Sequence, residues 1–280
     1  MSIRARTAAL GACVCVALLA IVWLVAFHIG VVGRADQSIY SQFGDLNHHS
    51  QIGWLTSHIV SLFDPNPYVY LVVAVLAVAL LRGRPRAAFA VVVIVLGANV
   101  TTELLKHVAS TPRPSPIYGF WRYDSWPSGH ATAAMSLVLA GVLAAPSRLR
   151  PAVAALGACL AIAVGYSVVA TGMHFPTDVL GGFLVATIWA LATVAALLGA
   201  EAWRPSPSDS TREPLSVRAV LSAPGAVLLV AVVLTAAVLI SRPHRLISYV
   251  HAHEAFTIGA LGIGALGLAL STGVLLSLRR

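Results

Sequence analysis

The chain has 280 residues, 58% of them hydrophobic and only 10% charged, with 18 Lys+Arg against 10 Asp+Glu. A soluble domain is about 25% charged, so a soluble enzyme, a disordered chain and a fibrous protein are excluded and an integral membrane protein is expected. The formal charge of +8 gathers at the ends of apolar runs, where basic residues set membrane orientation and do not signal nucleic-acid binding.

A span needs about 20 apolar residues. Residues 7–33 carry no charge and form the first predicted span. Leu10-Gly11-Ala12-Cys13 loosely resembles a lipoprotein cleavage site, but the apolar stretch before it is too short, so an uncleaved helix is expected. Residues 34–64 are mixed and hold Asp36, Asp45, His48 and His49. Within them Ile52, Leu55, Ile59 and Leu62 recur at helical spacing, which predicts a helix along the membrane surface. Residues 65–81 open on Pro65 and Pro67 and form a short second span. A basic turn with Arg82, Arg84 and Arg86 leads to the third span, 87–107, which has Glu103 and Lys106 in its last turn. A proline-rich loop follows to Pro127, and then the fourth span, 128–145. A second basic turn holds Arg148 and Arg150. The fifth and sixth spans are 151–171 and 176–200. Residues 201–218 read as a polar cytoplasmic linker rich in Pro and Ser. Two more spans, 219–240 and 255–278, come after it, and the chain ends Arg279-Arg280.

The fold expected is an all-α polytopic helical bundle, with a six-span core over 1–200 and two additional spans over 219–280. With the N-terminus in the cytoplasm, twelve of the eighteen basic residues lie inside. Cys13, Cys15 and Cys159 fall in apolar runs, so no disulfide framework is expected. Lys106 is the single lysine among seventeen arginines, and the Ala-, Val- and Arg-rich composition is associated with a GC-rich bacterial genome.

Three polar segments stand out against this background: residues 106–114, residues 127–130 and residues 167–178. The span count brings all three to one extracytoplasmic face. Lys106 and Arg113 supply positive charge for phosphate oxygens, Lys as a point charge and Arg as a planar fork. Ser128 and Gly129 begin a helix whose free N–H groups favour an anion. Beside them His130 can donate a proton to a leaving oxygen. His174 can attack phosphorus through a ring nitrogen, and Asp178 can fix its tautomer. Each residue has a plainer reading as well. Glu103 and Lys106 make a helix-end pair, His174 and Asp178 a structural hydrogen bond, and Arg122 and Asp124 a solvated pair. His48-His49 and the 251–254 segment lack a convincing metal-ligand set.

The three segments resemble the signature of the type 2 phosphatidic acid phosphatase family, part of the acid phosphatase–vanadium haloperoxidase superfamily. Lys106, Arg113 and Pro114 follow its K-x6-R-P, Pro127 to His130 its P-S-G-H, and Ser167, His174 and Asp178 its S-R-x5-H-x3-D. The resemblance covers roughly residues 35–200. It implies a membrane phosphatase acting on a lipid phosphomonoester or pyrophosphate through phosphohistidine on His174, with no metal or other cofactor. Phosphatidic acid, polyprenyl pyrophosphate and phosphatidylglycerol phosphate are all compatible substrates. A phosphotransferase using the same site, or a non-catalytic lipid-phosphate binder or transporter, is the alternative. The chain departs from the signature at Val168, where the family has a phosphate-holding arginine. Arg122 is the nearest replacement in sequence.

Overall fold

The computed structural model describes residues 2–114, 121–122, 125–203 and 216–279. It is a bundle of helices with one two-residue ladder. α1 (Ile3–His28) starts on Ser2, whose hydroxyl accepts from Ala5 N–H at 3.2 Å. It stops five residues before the end of the first predicted span, because Ile29 is extended and breaks the ladder. α2 (Gly30–Leu46) and α3 (Ser50–Ser61) follow. α3 and α4 (Pro65–Leu81) meet at a 59° bend, with two prolines at the bend. The second predicted span is therefore one limb of a bent helix pair.

α5 (Pro85–Ala109), α6 (Gly129–Ala144), α7 (Arg150–Ala170) and α8 (Pro176–Trp203) form the centre. β1 (Arg113–Pro114) and β2 (Trp121–Arg122) lie between α5 and α6, with Arg113 opposite Arg122. α9 (Val217–Ser241), the short α10 (Pro243–Ala252) and α11 (Glu254–Ser277) complete the chain.

Six of these helices are long and apolar enough to cross a membrane: α1, α5, α7, α8, α9 and α11. α6 occupies the fourth predicted span but has only 16 residues, or about 24 Å at 1.5 Å per residue. A bilayer core is about 30 Å thick. The mismatch has no cost here, since α6 is surrounded by α4, α5, α7 and α8 and every residue from 131 to 140 is buried. Its sequence explains the enclosure, because Ala131, Ala133, Ala134, Ala140 and Ala144 present a narrow helix that neighbours approach closely.

The last helices are not a detached pair. α11 packs along α7 and α8, with Ile263 against Gly165 and Gly267 against Ile162 and Phe183. α9 leans on α7 and exposes Leu228, Leu229, Val232 and Leu234. α2 differs from the surface helix expected for residues 34–64: it tucks Asp36, Tyr40 and Phe43 against α1, α7, α8 and α11.

Candidate active site

The three motif segments converge at the ends of α5, α6 and α8. Lys106, in the last turn of α5, reaches toward the start of α6. A Cβ added to Gly129 would lie 3.3 Å from its ammonium nitrogen, so a larger residue there would crowd the lysine. Lys106 also bonds Glu103 at 2.7 Å, the helix-end pair foreseen from the sequence. Leu104 and Val108, on either side of it, are exposed on the outer surface.

α6 begins in a dense set of backbone contacts. Ser128 is its N-cap, and its hydroxyl accepts from Ala131 N–H at 3.3 Å. Thr132 N–H is taken by the Ser128 carbonyl, leaving Gly129 and His130 at the head of the helix. Ser128 N–H donates to the Asp178 carbonyl at 2.9 Å and so ties α6 to α8. Gly182 permits this approach, since a Cβ there would sit 2.7 Å from the Ser128 carbonyl oxygen. His130 Nε2 is 3.3 Å from Asp64 Oδ1, at the bend between α3 and α4.

His174 sits in the turn between α7 and α8. Gly172 gives that turn its φ of +70°, a region closed to most side chains. Its carbonyl accepts from the Tyr40 hydroxyl at 2.6 Å, and Tyr40 stacks on Phe175 with centroids 4.6 Å apart. His174 Nδ1 lies 2.9 Å from the Ser125 carbonyl oxygen and 3.4 Å from Asp178 Oδ2. A carbonyl only accepts, so Nδ1 carries the proton and Nε2 keeps its lone pair. The tautomer that the sequence reading assigned to Asp178 is thus set first by a backbone oxygen of the preceding loop. His130 and His174 are near enough to interact electrostatically.

Asp178 is fully buried in the first turn of α8, where its Oδ2 accepts from Phe175 N–H at 2.9 Å. This is the carboxylate half of a capping box. Its Oδ1 accepts from Arg113 Nη2. Arg113 is buried too, and its terminal nitrogens are all engaged by protein. Nη1 donates to Asp36 Oδ2 at 2.8 Å and Thr177 Oγ1 at 3.1 Å, while Nη2 also reaches Ser125 Oγ at 3.3 Å. The guanidinium lies over Phe175 at 4.1 Å and Phe27 at 4.8 Å. Its Nε is buried and has no hydrogen-bond partner among the described residues.

Asp36 is the participant that sequence reasoning missed. It is 3% exposed, and it accepts from Thr177 N–H at 3.0 Å, from Thr177 Oγ1 at 2.6 Å and from Arg113. Burial pushes its carboxyl up to about 6; Arg113 pulls it down, Asp178 raises it and the Thr177 hydrogen bonds lower it. Val168, at the family's arginine position, is fully buried in the apolar core, while its carbonyl accepts from the N–H groups of Met173 and His174. Arg122 is held by its backbone opposite Arg113; its side chain, and Asp124, lie outside the described residues. Among the described residues no group of three or more His, Cys, Asp or Glu is arranged to hold a metal ion.

Residues 87–202, α5 through most of α8, match the PAP2 superfamily. Among solved structures the chain is similar to a transmembrane PAP2-type phosphatidylglycerolphosphate phosphatase from Bacillus subtilis. The identity is 20% and the TM-score 0.57, over 70% of this chain and 98% of that one. It is also similar to Aquifex aeolicus LpxE, at 20% identity and a TM-score of 0.44, over 54% of this chain and 92% of that one. A comparison with curated proteins gives no match. The segment that carries all three motifs is the one that matches the PAP2 superfamily, and it is set in a chain with six helices, among the described residues, apolar and long enough to cross a membrane.

Proposed function

We propose that this protein is a membrane lipid phosphatase that works through a phosphohistidine on His174. The observation that carries the reading is the state of that ring: Nδ1 is held by the Ser125 carbonyl beside buried Asp178, so Nε2 is free to attack. Nε2 forms a bond to phosphorus as the bond to the leaving oxygen breaks, and protonated His130 gives its proton to that oxygen. Neutral His130 then takes a proton from water, which attacks phosphorus and releases the histidine. Lys106, the N–H groups of Gly129 and His130 at the head of α6, and Arg113, whose Nε has no partner among the described residues, are the groups that would hold the phosphate. Ser128 fixes the head of that helix.

The lipid character of the substrate rests on placement. Lys106 lies on a helix whose neighbouring Leu104 and Val108 face outward, 61% and 79% exposed. A headgroup at Lys106 would leave its acyl or prenyl tail along that apolar surface. In this reading the site faces the extracytoplasmic side of a bacterial cell membrane, which the positive-inside distribution supports for the face and the Ala-, Val- and Arg-rich composition for the source.

A panel of short-chain lipid phosphates and pyrophosphates in detergent, scored by phosphate release, tests the reading. The wild type releases phosphate and His174→Ala does not. Acid-labile, base-stable phosphoprotein accumulates in His130→Ala and is absent from His174→Ala. Normal turnover by His174→Ala would sink the mechanism.

A further inference from the structure

One guanidinium faces two carboxylates in the buried cluster. Asp36 and Asp178 both bond Arg113, and both are nearly or wholly inaccessible to water. Arg113 cancels one of them. With both ionised, the cluster carries one net negative charge behind the His174 ring. An arginine paired with Asp178 alone would neutralise the carboxylate that the ring needs.

We propose that Asp36 is a positioning residue for phosphoryl transfer: by sharing Arg113 with Asp178, it preserves the negative charge that stabilises His174 when its ring becomes cationic. This rests on the reading of His174 as nucleophile. As Nε2 bonds to phosphorus, the ring keeps its Nδ1 proton and gains a positive charge, while the electron pair of the broken P–O bond goes to the leaving oxygen. The cluster and ring then sum to zero, and in a buried site that balance is worth far more than in water. Asp36 reaches this place from α2, and it is fixed there by two hydrogen bonds from Thr177 at the head of α8. The same charge repels the incoming phosphate. Asp36 therefore weakens phosphate binding and speeds the covalent step, a difference between ground state and transition state.

Inorganic phosphate alone is a sufficient probe. A histidine that takes a phosphoryl group reversibly exchanges phosphate oxygen with water: one oxygen leaves as water when the N–P bond forms, and solvent oxygen returns when it breaks. In oxygen-18 water, the exchange gives both a saturating rate and a half-saturating phosphate concentration. Asp36→Asn is expected to lower the saturating rate roughly tenfold or more, and also to lower the half-saturating phosphate several-fold. Asp36→Glu, which keeps the charge, should restore most of the rate. A residue needed only for packing would raise the half-saturating phosphate or leave it unchanged. An unchanged rate, or weaker phosphate binding, in folded Asp36→Asn overturns the role of Asp36. Absence of exchange in the wild type overturns the phosphohistidine reading itself. Should Asp36→Asn fail to fold, Asp36→Ser is measured in the same way. Misfolding of both would show that Asp36 serves the fold alone and end the proposal.

Discussion

At the scale of single residues, the Arg113 cluster predicts an asymmetry. Removing Arg113 leaves two buried carboxylates facing each other, and breaking a buried ion pair costs about 3–5 kcal/mol. Removing the charge of Asp36 leaves a neutral Arg113–Asp178 pair and costs far less. Arg113→Met should therefore lower the thermal midpoint in detergent much more than Asp36→Asn; equal losses would mean that the charge count is wrong. The carboxyl of Asp36 adds a pH dependence. Its folded value of about 6 lies above the ordinary value of about 3.9, so the folded protein holds a proton that the unfolded chain releases. That contribution to stability is complete below about pH 4 and is lost as pH rises through about 6. The groups facing Asp36 are Arg113 on β1, and Asp178 with the Thr177 hydroxyl on α8. Between about pH 4 and 6 the midpoint of the wild type should fall relative to that of Asp36→Asn and run parallel to it above that, and curves parallel throughout would contradict the assignment. The motif residues were legible because Lys106, Arg113, His130, His174 and Asp178 stand in three polar segments of an otherwise apolar chain, at a spacing that resembles the family signature. Asp36 was not, since a lone aspartate two residues after Arg34 in a mixed segment reads as a solvated surface charge.

At the scale of elements, the position of α8 against α6 decides the site. α8 brings Asp178 and Thr177, α6 brings Ser128 to His130, and the two touch through Gly182. A side chain at residue 182 has no room beside the Ser128 carbonyl and the Thr132 N–H, which are 2.7 and 3.0 Å from its Cβ. Gly182→Val should cost about 1–3 kcal/mol by overpacking. It should also abolish phosphate release at temperatures where the protein stays folded. Full activity in a folded Gly182→Val protein would mean that α6 and α8 need not touch there. The helices themselves were read well from apolar runs, apart from three departures with distinct causes. The bend between α3 and α4 hides in a turn of two prolines. The short α6 looks like an ordinary span because burial by protein and burial by lipid select the same residues. α2 was missed because its polar residues are satisfied by distant partners, and no local pattern records them.

At the scale of the whole molecule, the positive-inside rule puts the proposed site on the side of the bundle opposite most of its arginines. The 47–49 turn joins α2 and α3, and α2, which is not among the helices long and apolar enough to span, links it to Asp36, so the same orientation puts the turn on the proposed site's side. In a protein with Cys13, Cys15 and Cys159 replaced by serine, His49→Cys should react with a membrane-impermeant thiol reagent in intact cells. Reaction only after lysis would invert the orientation. The all-helical membrane bundle was legible, while the packing of α11 was not. A seam of small residues such as Gly165 and Gly267 looks the same in sequence whether it faces a helix or a lipid, and here it receives α11.

The order in which the ribosome delivers these parts has a consequence for biogenesis. The first helix made, α1, finds its main partner in α8, and Asp36 finds Thr177 across 141 residues. Neither the N-terminal helix nor the buried acid can settle until the eighth helix leaves the translocon. Arg113 and Asp36 emerge earlier and wait for Asp178. Closure of the bundle and completion of the charge cluster are therefore one late event. A nascent chain halted after α7 holds every cation of the motif but neither Asp178, the buried acid beside His174, nor a home for its own first helix.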